Sequence, residues 1–272
     1  MRVLIAPDKF KGCLSAAAVA ENIAAGIRAV LPEAEMVLAP VADGGEGTAE
    51  VICTALYGEW LACDAHDALG HEIRARYVWL RESATAVIEM SEAAGLEHLA
   101  GFTTDPLCAN TFGVGEMMHH ATEQGAREII VGLGGSATTD GGFGMARSLG
   151  FRFFRGPENC RAGASRSDSS QRSARSSCEE VEYQHEQELV NGPAELVNLM
   201  RIVPSPQSSP ARRGGRKAPG RGGKGLTRII AAADVRSPLL GEGGAARMFA
   251  AQKGAKPEQI ETLECALTRL AD

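Results

Sequence analysis

Short apolar runs, each stopped by glycine or an acid, constrain the fold of this chain most. RVLIAPD begins at Arg2, EMVLAPVADGG at Glu35, EIIVGLGG at Glu128 and IIAAADV at Ile229. Such runs suit strands buried on both faces. Between them lie segments with apolar residues at helical spacing. LSAAAVAENIAAGIRAVLP has Ser15 as its cap and Pro32 after its end, and TAEVICTAL, TFGVGEMMHHATEQ and KPEQIETLECALTRLAD read as further helices. RARYVWL, TAVIEMS and FRFF add strands. Strands alternating with helices predict an α/β fold with a mainly parallel sheet covered on both faces.

Composition narrows the function classes. A chain of 272 residues suffices for one large or two ordinary domains. Its formal net charge of -6 does not suggest a nucleic-acid binder. MRVLIAPD lacks the apolar core of a secretory signal, and no run of about 18 apolar residues is present to span a membrane. The seven cysteines are scattered without a C-x-x-C pair, which argues against a zinc site or a disulfide framework. The expectation is a reduced, soluble, cytoplasmic protein. His119 and His120 are adjacent and face different sides of a helix, and the other histidines have no partner at ligand spacing.

Residues 156–226 break the pattern. RAGASRSDSSQRSARSS and VPSPQSSPARRGGRKAPGRGGKG offer too little apolar surface to offset ordering, so disorder is expected, except for a short helix near AELVNLM. Arg201–Arg228 carries eight Lys or Arg and no acid, a composition that admits non-specific nucleic-acid association. No aromatic residue interleaves with the cations, and a passive insert is the preferred reading.

The chemistry gathers where the strands end. In EIIVGLGGSATTDGG a strand runs into a glycine-rich turn, which lets amides approach a ligand closely. Gly134, Gly135, Ser136, Thr138, Gly141 and Gly142 are candidate phosphate ligands, helped by a helix N-terminus near Gly142, and Asp140 is a candidate for Mg²⁺. The P-loop pattern fails because no lysine follows the second glycine. G-x-G-x-x-[GA] is met, but the acid expected at the end of the next strand is missing. VADGGEGT sets Asp43 and Glu46 among Gly44, Gly45 and Gly47, which suits metal binding or proton abstraction, although an Asp-Gly turn explains it as well. APDKFKG offers Asp8, Lys9 and Lys11 beyond the first strand. Asp234 ends another strand, whereas Lys253 fits a helix C-terminus. Neither a G-x-S-x-G elbow nor H-E-x-x-H occurs.

IAPDKFKGCLSA, PVADGGEGT, DPLCANTFGVGE, GLGGSATTDGG and ADVRSPLLGEGGAARMFAAQKGA, in this order, resemble the type-I glycerate kinase family. The resemblance covers most of 1–150 and about 229–269. It implies ATP-dependent, Mg²⁺-assisted phosphorylation of D-glycerate, most simply at the 2-hydroxyl. It also implies two α/β domains, the first Rossmann-like, with the active site in the cleft between them. Residues 1–70 would belong to the first domain, and 71–155 with 227–272 would form the second. In the implied mechanism GGSATTDGG cradles phosphates and Asp140 or Asp234 holds Mg²⁺. Lys11 offsets γ-phosphoryl charge, and Asp43, with Asp8 nearby, orients or deprotonates the glycerate hydroxyl. Gly44, Gly45 and Glu46 contact glycerate. The chain departs from the family pattern at Lys9, where the family has serine, and at Thr139 and Ser237, where asparagine is usual. Family members continue beyond the point matching Asp272, so exposed apolar surface is expected in the first domain. Binding without catalysis is the alternative reading.

Overall fold

The computed structural model describes residues 1–10, 12–99, 101, 104–155, 187–204 and 227–272. Lys11 and most of 156–226, including the basic stretch from 205 to 226, lie outside the described residues.

Strand β1 (Arg2–Ile5) leads into helix α1 (Ala16–Val30), whose Ser15 cap accepts a 3.3 Å bond from the Ala18 amide. Strand β2 (Glu35–Leu38) returns parallel to β1. Val19, Ala20 and Ala24 of α1 recur at helical spacing and are buried, with Ala20 and Ala24 packed against Ile5. Leu4, between Val3 and Ile5 on β1, is 67% exposed.

Helix α2 (Thr48–Leu56) precedes a hairpin of β3 (Glu59–His66) and β4 (Glu72–Leu80). Strand β5 (Thr85–Glu89), the single turn α3 (Ser91–Ala94), helix α4 (Phe112–Glu123) and strand β6 (Glu128–Gly132) follow. With β10 (Arg228–Ala232) they build a five-stranded sheet in the order β10-β6-β5-β4-β3. The β10, β6 and β5 strands are parallel, and β4 and β3 are antiparallel, so the sheet is mixed. The boundary expected at residue 70 falls inside the β3–β4 hairpin, because Glu59–His66 pairs with Glu72–Trp79 in this second sheet. The β3 strand carries a two-residue period, with Leu61, Cys63 and Ala65 turned to the core.

Both sheet faces are covered. Val114, Met117, Met118 and Ala121 of α4 pack on Tyr77, Ile88, Ile129 and Val131. Ala49 and Ile52 of α2 cover Val78, Leu80 and Val87 from the other side. Each fully buried Val or Met contributes about 1.5–3 kcal/mol.

Helix α5 (Phe143–Ser148) leads to β7 (Phe151–Arg155), which pairs antiparallel with β8 (Gln187–Glu188) and β9 (Leu199–Pro204). Gln187–Pro204 is thus part of the fold, although it lies inside the span expected to be disordered. The helix expected near AELVNLM is a 3₁₀ turn over Pro193–Asn198 followed directly by β9. Leu189, just after β8, with Leu196 and Leu199, is buried against Phe143, Phe153 and Ala266, which supplies the apolar contact that composition alone did not reveal. Helices α6 (Ala245–Phe249) and α7 (Pro257–Ala271) close the described fold. Among the described residues no helix is long and apolar enough to cross a membrane.

Candidate active site

In the parallel part of the sheet, Glu89, Gly132 and Ala232 are register partners at the carboxyl ends of β5, β6 and β10. In open α/β sheets this edge is where ligands bind. The loop after β2 folds onto the same edge. A Cβ on Gly132 would lie 2.7 Å from the Gly44 carbonyl oxygen, and one on Gly134 would lie 2.4 Å from Gly45 Cα. A Cβ on Gly44, whose φ is +90°, would come within 3.1 Å of the Ala232 oxygen. The contact is closed by Gly134 N–H donating to Gly44 O at 3.4 Å and Leu133 N–H to Ala232 O at 3.0 Å. Only glycine permits so close an approach of backbones. VADGG, GLGG and the end of IIAAADV therefore meet at one point.

The first loop joins them through Lys9. Its side chain is 13% exposed, its ammonium donates to the Glu46 carbonyl, and the Glu46 carboxylate lies 4.0 Å away. Asp8 accepts from the Lys9 amide at 2.6 Å and is half-buried. Asp43 is exposed, with Oδ1 taking the Gly45 amide at 3.0 Å in an Asp-Gly turn. A cleft of about 290 Å³ opens beside this junction, lined by Asp8, Lys9, Phe10, Leu14, Val41 and Glu46 among others.

Glu89 was not anticipated as a site residue. It is buried behind the junction and accepts from the amides of Ala49, at 2.6 Å, and Gly47, thereby capping α2. Burial pushes its carboxyl above the usual carboxylate range, against the opposing pull of those amides.

The loop between β6 and α5 is partly self-satisfied. Ser136 Oγ and Thr138 Oγ1 bond each other at 2.8 Å, and the Thr138 amide donates to Ser136 Oγ at 3.1 Å. Gly141 (φ +60°) and Gly142 (φ +81°) make the left-handed turn into α5. A side chain at Gly141 would run into Leu267 and Leu270 of α7, so its need for glycine is met by packing.

Asp140 departs most from the expected roles. It is buried, and Oδ2 accepts from the Thr111 amide at 2.9 Å, the Thr111 hydroxyl at 2.7 Å and the Gly144 amide at 2.9 Å. Oδ1 takes the Gly142 amide at 3.1 Å. With four donors placed, Asp140 fastens the loop to α4 and caps α5. Its carboxylate is occupied by protein where the sequence suggested Mg²⁺. For the same reason the amide of Gly142 and the start of α5 have protein acceptors already. Among the described residues the amides of Gly135, Ser136, Thr139, Asp140 and Gly141 have no acceptor. The Thr139 hydroxyl is buried without a partner.

Besides Glu46, Asp43 and Asp234 are exposed acids beside the junction in sequence. Asp43 adjoins Gly44. Asp234 lies exposed two residues beyond Ala232 with no partner among the described residues. No group of three or more His, Cys, Asp or Glu able to hold a metal occurs among the described residues. The histidines have other duties: His66 pairs with Glu116 at 3.0 Å, His71 with Asp67 at 2.8 Å, and His120 with the Tyr77 hydroxyl at 2.9 Å.

The DPLCANTFGVGE stretch supports the loop from behind. Gly113 lies against the His66 backbone, Gly115 against the Met145 carbonyl, and Thr111 reaches Asp140. Lys253 does close a short 3₁₀ turn before Gly254, but its ammonium also crosses to the Thr138 carbonyl.

Comparison with known proteins agrees with this architecture. The family model described as the glycerate kinase family matches residues 3–202 and 221–272. The chain is 33% identical to a glycerate kinase of Haemophilus influenzae, with all of this chain and 61% of the relative covered. It is 34% identical to glycerate 2-kinase of Escherichia coli, again over all of this chain and 61% of the relative. A crystal structure assigned to glycerate kinase 2 of Salmonella typhimurium LT2 superposes with a TM-score of 0.72 at 34% identity, covering all of this chain and 62% of that one. The chain thus spans about three fifths of the length of these relatives. It belongs to the glycerate kinase family.

Proposed function

We propose that the junction of the three glycine-bearing strand ends transfers the γ-phosphoryl group of ATP to D-glycerate. The observation that carries this reading is the backbone contact of Gly44–Gly45 with Gly132–Gly134 beside Ala232. It supports a reading in which the unpaired amides of the loop and the carboxylates of Asp43 and Asp234 serve one site, and phosphoryl transfer depends mainly on such positioning and charge. The amides of Gly135 and Thr139 and the Thr139 hydroxyl suit phosphate oxygens. Mg²⁺ characteristically binds through one or two carboxylates plus substrate phosphates, so the accessible Asp234, rather than Asp140, is the fitting protein ligand. When bound, the cation would neutralise charge on the phosphates.

The cleft beside Glu46 takes the hydroxy acid. Lys9 is the described cation on its wall and grips the glycerate carboxylate, while Asp8 holds the Lys9 backbone. Asp43 accepts the proton of the 2-hydroxyl as that oxygen bonds to the γ-phosphorus and the bond to the leaving ADP oxygen breaks. Gly44 and Gly45 leave room for the approach. Isothermal titration with Mg-ATP and with D-glycerate, beside a coupled kinase assay, tests the reading. Saturable binding of both and ADP release dependent on glycerate are expected. Failure to bind either ligand refutes the site, and binding without turnover limits the chain to recognition.

A further inference from the structure

Lys253 comes from the turn Ala251–Lys253, 115 residues from Thr138 in sequence, yet its ammonium donates to the Thr138 carbonyl. In a trans peptide the carbonyl of one residue and the N–H of the next point in opposite directions. Holding Thr138 O toward Lys253 therefore turns the Thr139 amide to the other side of the loop. That amide has no acceptor among the described residues. The hydroxyl of the same residue, only 8% exposed, has no partner either. A buried unpaired hydroxyl is costly, and a ligand that pairs with it explains its retention.

Lys253 forms no ion pair among the described residues. Among the described residues Asp140, on the loop, is the acid that favours its charged form, and the Asp140 oxygens are occupied by Thr111, Gly142 and Gly144. The 104–110 turn meets this segment through the neutral Thr104 at Gly254.

We infer that Lys253 is a positioning residue that fixes the Thr138–Thr139 peptide, so that the Thr139 amide and hydroxyl together bind a phosphate oxyanion. The inference rests on the phosphate-binding reading of this loop. Burial pushes the Lys253 ammonium down to about 8, so the latch carries its charge at neutral pH and loses it in mild alkali.

The test uses the whole chain with Lys253→Met, Lys253→Arg and Thr139→Val. Amide hydrogen exchange over 134–142, referred to intrinsic rates at pH 7 and 9, reads the latch without ligand. Titration with inorganic pyrophosphate reads the anion site. Lys253→Met should exchange about tenfold faster in this segment and bind pyrophosphate about tenfold more weakly at pH 7. Lys253→Arg should restore most of both. Wild type should approach the methionine variant at pH 9. Thr139→Val should weaken pyrophosphate binding without lowering the thermal midpoint. Unchanged exchange and affinity in Lys253→Met overturn the inference and leave the phosphate reading intact, as does faster exchange spread evenly over α4 and β6. A wild-type chain that binds no pyrophosphate overturns the phosphate reading and the oxyanion part of the inference, and exchange then decides the positioning part.

Discussion

Replacing Asp140 with asparagine separates a structural role from a metal-binding one. In the native loop one carboxylate oxygen accepts three bonds and the other accepts the Gly142 amide. Asparagine keeps the shape but supplies one carbonyl oxygen. With that oxygen turned to Thr111 and Gly144, its NH₂ group confronts the Gly142 N–H, two donors face to face in a buried place. Hydrogen bonds to a charged acceptor contribute about 1.5–3 kcal/mol each, and an orphaned buried donor costs about 1–3 kcal/mol. Because the surviving bonds also weaken, a total loss of about 2–4 kcal/mol is expected. In a fold of this size that lowers the thermal midpoint by about 5–12 °C. The assay is thermal unfolding of wild type, Asp140→Asn and Thr111→Val, without added metal. Thr111→Val removes the hydroxyl that both donates to Asp140 and accepts from the Met145 amide, so it should cost about 1–3 kcal/mol. The double variant should lose less than the sum, since both belong to one network. An Asp140→Asn chain as stable as wild type, yet weakened in Mg-ATP binding, would refute this reasoning and restore Asp140 as a metal ligand.

Further outcomes follow from the same geometry. Gly134→Ala should part the two loops, because its Cβ would lie 2.4 Å from Gly45 Cα, and nucleotide binding should fall at least about tenfold in a titration; Gly243→Ala, which meets nothing within 4 Å, should leave binding unchanged. Glu89 has a raised carboxyl, so the folded state holds its proton to higher pH than the unfolded state does. Its stabilising contribution is complete at low pH and is lost as pH rises through the folded value. Glu89→Gln should remove that loss, gaining on wild type in denaturant titrations between pH 4 and 7. Lys253 is lowered from 10.5 to about 8, so above about 8 the unfolded chain binds more protons and stability should rise toward pH 10; Lys253→Met should lack this rise, worth about 2 kcal/mol between pH 8 and 9.5.

The sequence was most legible where signals are local. Ser15 before an alanine-rich run marked α1, apolar runs marked the parallel strands, and glycine clusters marked the loops that need close backbone approach. Long-range partners were less legible. EWLACDAH was not read as a strand, since four apolar residues in a row blur its alternation; pairing with β4 makes it one, and a boundary at residue 70 cuts that hairpin. Leu189, Leu196 and Leu199 stand in a polar neighbourhood and matter only because Phe143, Phe153 and α7 await them. Asp140 carried the usual look of a metal ligand, but Thr111, far away in sequence, claims it. Lys253 showed a sound local role at a helix end while its decisive contact is to Thr138. Glu89 drew no notice inside the TAVIEMS strand, and only the fold sets it beneath α2.

The central claim, that three strand-end loops form one phosphate and hydroxy-acid site, is tested most directly by amide hydrogen exchange on the whole chain with and without Mg-ATP and D-glycerate. Slower exchange appearing together over Gly44–Glu46, Gly134–Thr139 and the residues after Ala232 is the predicted result. Ligand-dependent slowing confined to one of these segments, or lying elsewhere on the fold, contradicts it.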